Sequence, residues 1–354
     1  MNLYQQRFET APLLGATVQT VTGNLVEVSS TERIENFNGV KTIQYDNEEL
    51  AEEYNTKNGK KHYKIIILII ASPAEHYNVF KQCWLEYMNK YDEIKSFFLY
   101  SDENIGSDIF ITEHAITYKC EESLIPGILY KTIAGYYFCE KKFTYEYMLR
   151  TNLSSFIHIP RLLKYIESQE NEGKSNKVFT NLELIPLFND NNNIALLETI
   201  ENMKKQNPNA IIPNNVIENW KKFTIILSDF YDNKNFISNK NFYFFPGSFF
   251  LISKNIINRI IVGILKNNIL DKGNIKTAPD DVAITAMVFL YFNNVNVINT
   301  NDFTKRCEKI ETEYSETTFH IRNRTDTFFG NRDTDIKNIV YQVKKFYNED
   351  FEIM

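Results

Sequence analysis

Tyr63-Lys-Ile-Ile-Ile-Leu-Ile-Ile70 is followed, after Ala71-Ser72-Pro73, by a stretch of helical spacing over 74–90 and then by Ile94-Lys-Ser-Phe-Phe-Leu-Tyr100. The first run is apolar without alternation, as a strand buried on both faces of a parallel sheet requires. Between the two runs, Tyr77, Phe80, Trp84 and Tyr87 recur along one helical stripe. Strand, helix and strand within about forty residues predict a βαβ unit with a right-handed crossover. An open α/β sheet follows from it. Ligands of such sheets collect where strand C-termini converge. Ala71, Ser72 and Asp102 stand at two of those ends.

On the N-terminal side, apolar and polar residues alternate over 17–21 and 25–28 around Thr22-Gly23-Asn24, which predicts a β-hairpin. A third strand is expected over 40–45 and an acidic helix over 47–54. Residues 1–60 therefore read as a small β-rich N-terminal appendage, and 62–354 as the main domain. Downstream, the periodicity predicts helices over 126–138, 159–166, 255–268, 279–292 and 335–347. Strands are expected over 143–149, 242–245, 247–253 and 318–324. The stretch 167–215 is rich in Asn, Glu, Gln and Lys and reads as an insertion carrying short strands.

The chain has 354 residues, is 43% hydrophobic and 24% charged, and so is globular rather than disordered. Its 39 Lys and Arg against 45 Asp and Glu leave a net charge of −6. A nucleic-acid backbone needs a basic face, and the short groups Lys60, Lys61, Lys64 and Lys221, Lys222 are diluted by acids, so no nucleic-acid partner is expected. The longest apolar run, 65–71, falls well short of the roughly 18 residues of a membrane span, so none is expected. The N-terminus has neither the cationic nor the apolar region of a signal peptide. Cys83, Cys120, Cys139 and Cys307 share no CxxC spacing. They read as reduced thiols, with a cytoplasmic location expected. No GxGxxG, GxxxxGK[ST], HExxH or GxSxG occurs, which argues against Rossmann dehydrogenases, P-loop enzymes, zincins and α/β-hydrolases. The abundance of Asn, Ile and Lys reads as the bias of an AT-rich genome.

Four segments then occur in a telling order. The first is 64–72 with the Cys83-Trp84 helix and Phe97-Phe-Leu-Tyr-Ser-Asp102. The second is Tyr147-Met-Leu-Arg-Thr-Asn-Leu-Ser-Ser-Phe-Ile157. Phe245-Pro-Gly-Ser-Phe-Phe-Leu-Ile-Ser253 and Pro279-Asp-Asp-Val282 complete the set. Together, over about residues 62–345, they resemble the fringe-like and β-galactosyltransferase-like glycosyltransferases of GT-A fold. Residues 149–156 and Phe319-His-Ile-Arg322 are similar to glycosyltransferases encoded by large DNA viruses.

The resemblance implies an α/β, GT-A-like open sheet sandwiched by helices, a nucleotide-sugar donor carrying UDP, and a glycan or glycoprotein acceptor. It implies that Ala71, Ser72 and Asp102 line the nucleotide pocket and that Arg150, Asn152, Ser154 and Arg322 face the diphosphate. Arg324 and Arg332 would close over it. Asn152, Ser154 and His320 fall where the family holds a divalent cation, Mn²⁺ or Mg²⁺. The family has carboxylates at the first two positions, because a hard cation wants charged oxygen. Asn152 and Ser154 offer oxygen without charge, so weak metal binding is expected. Asp281 aligns with the family's base, which takes the acceptor's proton in an inverting transfer. Asp280 would orient the acceptor or cap the helix.

Plainer readings stay open beside these. Asp280 and Asp281 after Pro279 also fit an ordinary helix start with first-turn acids, and His320 fits a structural histidine. The missing carboxylates favour an alternative function, a non-catalytic nucleotide- or glycan-binding protein of the same fold.

Overall fold

The computed structural model describes residues 40–55, 60–170, 176–181, 183–186, 241–267, 270, 275–291, 295–307, 309–310, 312–324 and 332–353. The hairpin expected over 17–28 lies outside them. The architecture is mixed α/β, with a large, mostly parallel sheet flanked by helices.

The central sheet has nine strands. In spatial order they are β1 (Ile43–Tyr45), β4 (Ile109–Ile111), β5 (Ala115–Tyr118), β3 (Ile94–Ser101), β2 (His62–Ile70), β6 (Thr144–Asn152), β11 (Phe249–Ser253), β8 (Lys177–Thr180) and β12 (Asn296–Asn299). Strands β5, β3, β2 and β6 are mutually parallel. Strand β11 runs antiparallel to β6 and β8, and β12 is parallel to β8. At the other edge β4 is antiparallel to β5 and parallel to β1.

Successive side chains of a strand point to opposite faces, and β2 buries both. Ile66 and Leu68 enter one core, whereas Ile65, Ile67 and Ile69 enter the other. The first core is covered by α1 (Glu48–Asn55), α3 (Gly127–Lys142), α5 (Lys254–Asn267) and α6 (Asp280–Tyr291). The second lies under α2 (Asn78–Tyr87), α4 (Ile159–Glu170) and α7 (Asp333–Phe346). Helix α3 sits close to the sheet at Gly135, where a Cβ would stand 3.0 Å from Leu99 and 3.1 Å from Leu68.

A smaller sheet of β13 (Thr304–Cys307), β14 (His320–Asn323) and β7 (Ser155–Ile157) continues from the end of β6. Strand β14 is parallel to β13 and antiparallel to β7. Strands β9 (Glu183–Pro186) and β10 (Asn241–Phe244) form an antiparallel pair. The chain beyond α7 is tied down by Tyr347, whose ring stacks on Tyr87 at 4.4 Å. Its hydroxyl donates to Ile157 O and accepts from Ile159 N–H.

The structure differs from the sequence expectations in two places. Residues 43–55 belong to the main domain, not to an appendage. Strand β1 is the edge of the central sheet, and Tyr54 meets Phe138 and Phe143 edge-on at 5.8 and 5.4 Å. Within 167–215, Lys177–Thr180 is a central-sheet strand with all four residues buried, and 167–170 complete α4. All four cysteines are free. Among the described residues no helix is long and apolar enough to cross a membrane.

Candidate functional site

Ile70 on β2 is in register with Leu99 on β3 and with Asn152 on β6. Ala71-Ser72, Asp102 and Asn152 therefore share the C-terminal edge of three adjacent parallel strands, each about 5 Å from the next. The Ala71 carbonyl accepts from Lys131 Nζ at 2.9 Å, and the same ammonium reaches both oxygens of Glu122 at 2.8 and 2.9 Å. Lys131 is fully buried, and burial lowers its pKa. Ser72 Oγ accepts the Ala74 N–H. Asp102 is exposed and accepts from Asn104 through both its N–H and its side-chain amide, closing an Asx turn. No hydrogen bond or ion pair of the described residues joins Asp102 to the groups that follow.

The turn between β6 and β7 is pinned from beneath. Trp84 on α2 is buried, and its Nε1–H donates to Leu153 O at 3.0 Å. Above that anchor, Asn152 donates through Nδ2 to Gly247 O, which orients the amide so that Oδ1 faces the turn. That oxygen accepts from Ser154 Oγ and Ser155 Oγ, each at 3.2 Å, and from Arg322 Nη1.

Pro246-Gly247-Ser248 links β10 to β11 and is clasped between β6 and α6. Thr151 Oγ1 donates to Ser248 O, Phe245 N–H to Thr285 Oγ1, and Gly247 N–H to Asp281 Oδ2 at 3.0 Å. Glycine is favoured at 247 by the close approach of the Arg150 guanidinium, which any side chain there would have to displace. A Cβ there would stand 2.5 Å from Arg150 Nη1 and 3.1 Å from Asp281 Oδ2. Asp280 and Asp281 occupy the first turn of α6, where the helix dipole favours negative charge. Their fates differ. Asp280 is buried and ion-paired with Arg150, 2.7 Å from Oδ2 to Nη2. Asp281 is partly exposed and accepts from Gly247 and Val282 N–H. Burial, then the charge of Asp280, raise its pKa to about 6, against the opposing pull of Arg150 and the two N–H donors.

Arg322 and His320 project from β14. Arg322 is held down to a pKa of about 9 by burial and by the like charges of Arg324, Arg332 and Arg150. It remains a cation at neutral pH. His320 is fully buried and stacks on Phe249, with ring centroids 5.0 Å apart. Its Nε2 faces Ser155 Oγ at 3.2 Å and its Nδ1 faces Thr304 Oγ1 at 3.3 Å. Burial, then Arg322, lower its pKa to about 3, so the ring is neutral.

The residues expected to hold a divalent cation do not fit one. Asn152 Oδ1 has two lone pairs and already faces two hydroxyls and a guanidinium. A neutral imidazole has one lone pair, and a hydroxyl stands opposite each nitrogen of His320. Among the described residues no group of three or more His, Cys, Asp or Glu side chains is placed to hold a metal ion.

No protein-family model matches this chain, and no curated protein matches it.

Of the residues singled out in the sequence, Arg150, Asn152, Ser154, Asp280, Asp281, His320 and Arg322 are joined in one contact network. Ala71, Ser72 and Asp102 line the same sheet edge, and among the described residues no hydrogen bond or ion pair joins them to that network. Sequence reasoning missed Gly247, Ser155 and the Lys131–Glu122 pair. Lys131 carried a signal, being the single charge inside the apolar stretch 128–139.

Proposed function

We propose that the chain is a glycosyltransferase of GT-A-like fold that moves a sugar from a UDP-sugar to a hydroxyl of a glycan or glycoprotein. One observation carries this reading. Asp281 bonds Gly247 N–H, Gly247 O accepts from Asn152, and Asn152 Oδ1 accepts from Arg322. A carboxylate and a guanidinium thus sit on one wall at the sheet edge where open α/β folds place their ligands.

Asp281, with a pKa near 6, is ionised at neutral pH yet basic enough to accept a proton. In the proposed reaction the acceptor hydroxyl gives its proton to Asp281 as its oxygen attacks the anomeric carbon. The bond from that carbon to the phosphate oxygen breaks on the opposite face, and the diphosphate leaves with the electron pair. The sugar is inverted. Positive charge from Arg322 and its arginine neighbours favours the departing anion. The ends of β2 and β3, with Ser72 and Asp102, are left for the nucleoside. Four free thiols support a reducing compartment, the cytoplasm. In the family, the diphosphate is held by a divalent cation on carboxylates. Here the donor set does not fit that ion.

The amide and hydroxyl at 152 and 154 favour a second reading, a protein of this fold that binds a nucleotide or glycan without turnover. Release of UDP from a panel of UDP-sugars, with and without oligosaccharide acceptors, separates the two. Turnover supports the transferase, and tight UDP binding with no release from any donor supports the binding protein.

A further inference from the structure

Arg322 is a cation whose described partner is a neutral amide oxygen. Arg150 is matched by Asp280, and Arg332 by Asp335 at 3.1 Å. Arg322 has Asn152 Oδ1 alone among the described residues. A partly buried charge without a counter-charge is costly. Here the cost is increased by three arginines close enough to repel it. An anion arriving at Arg322 removes both penalties.

The location is as informative as the charge. Arg322 is paired through β14 to Ser155 on β7 and reaches across to Asn152 at the end of β6. It therefore bonds the same side-chain oxygen that a divalent ion would have had to use. One of its five N–H donors is spent there. The planar fork that remains matches two oxygens of a phosphate or diphosphate. Tyr77, which lies near Arg322 and under Arg332, bounds this side of the cluster.

We infer that Arg322 is a built-in cation standing in for the divalent ion, so that this chain takes a diphosphate group without metal. The inference rests on the proposed donor class for its ligand, and the following experiment separates the two. Calorimetry on the full chain uses inorganic pyrophosphate and UDP as probes, each in EDTA and in Mn²⁺. Both probes are expected to bind in EDTA, with Mn²⁺ changing affinity by less than about threefold. Arg322→Gln should weaken pyrophosphate about tenfold or more, while Arg322→Lys keeps part of the affinity because charge survives without the fork.

Asn152→Asp is the control that leaves the arginine in place. A carboxylate at 152 satisfies Arg322 internally, so pyrophosphate affinity in EDTA should fall although circular dichroism is unchanged. Binding of pyrophosphate that requires Mn²⁺ overturns the inference and leaves the transferase reading standing. So does full affinity in folded Arg322→Gln or Asn152→Asp. Pyrophosphate binding that depends on Arg322 in EDTA, with no binding of UDP, upholds the inference and removes the nucleotide donor. Failure of both probes overturns both.

Discussion

Arg150 Nη2 and Asp280 Oδ2 stand 2.7 Å apart with both side chains buried, tying a central strand to the first turn of α6. The pair separates the roles of two adjacent acids. Asp280 is committed to the fold, whereas Asp281 is only partly buried and, among the described residues, its two oxygens accept nothing stronger than the Gly247 and Val282 N–H groups.

Removing one member of a buried pair strands the other charge, at a cost of about 3–5 kcal/mol. Asp280→Ala is therefore expected to lower unfolding free energy by that amount in urea titrations. Arg150→Met combined with Asp280→Leu should recover part of it. A single variant as stable as the parent would show that the pair carries no structural weight.

Gly247 has a narrower tolerance than its place in a turn suggests. Gly247→Ala pushes a methyl against Arg150 and Asp281, and overpacking of this kind costs roughly 1–3 kcal/mol. A lower melting temperature together with a changed pH dependence at Asp281 is expected. Unaltered melting and turnover would mean that the Pro246–Ser248 turn moves aside freely.

The fold was legible where burial leaves a pattern. The run at 63–70 announced β2 because a strand covered on both faces loses its alternation. Strand β1 reads from the sequence as part of an appendage because three residues hold no period and its partner, Ile109 opposite Ile43, lies far along the chain. Lys177–Thr180 was hidden in an Asn-rich stretch for the same reason. At the candidate site, Pro279-Asp280-Asp281 was visible as a motif. The bond from Arg322 to Asn152 spans 170 positions, and no local pattern encodes a contact at that separation. Trp84 stood out by type, but its bond to Leu153 is also long-range and emerged from the structure alone.

That bond gives a third test. Trp84→Phe keeps the aromatic bulk in the core and leaves the Leu153 carbonyl without its donor. Loss of a partner for a buried polar group costs about 1–3 kcal/mol, so melting should fall. Because Leu153 lies between Asn152 and Ser154, pyrophosphate affinity should fall with it. A stability loss with unaltered anion binding would detach the turn from the site.

Two histidines, His320 buried and His158 half-buried, set an acid-side prediction. His320 titrates near 3 and His158 near 4 in the folded chain, against about 6.5 for an unperturbed imidazole. Below pH 6.5 the unfolded chain binds more protons, so their contribution is complete above that pH and is lost as the pH falls toward 3–4. From pH 7 to pH 5 the parent should lose about 2 kcal/mol more than His320→Gln. Parallel stability curves for the two proteins would place a charged imidazole in the fold.

The most direct test of glycosyl transfer is the rate of UDP release for Asp281→Asn beside the parent, followed across pH with the acceptor that supports turnover. The parent should show an acid limb near pH 6, because the carboxylate must be ionised to take the proton. Asp281→Asn should lose roughly 10²–10⁴-fold in kcat, the usual range for a general base, with UDP affinity nearly unchanged and the acid limb gone. A variant that keeps the full rate and the same pH profile would contradict Asp281 as the base and, with it, the proposed inverting transfer.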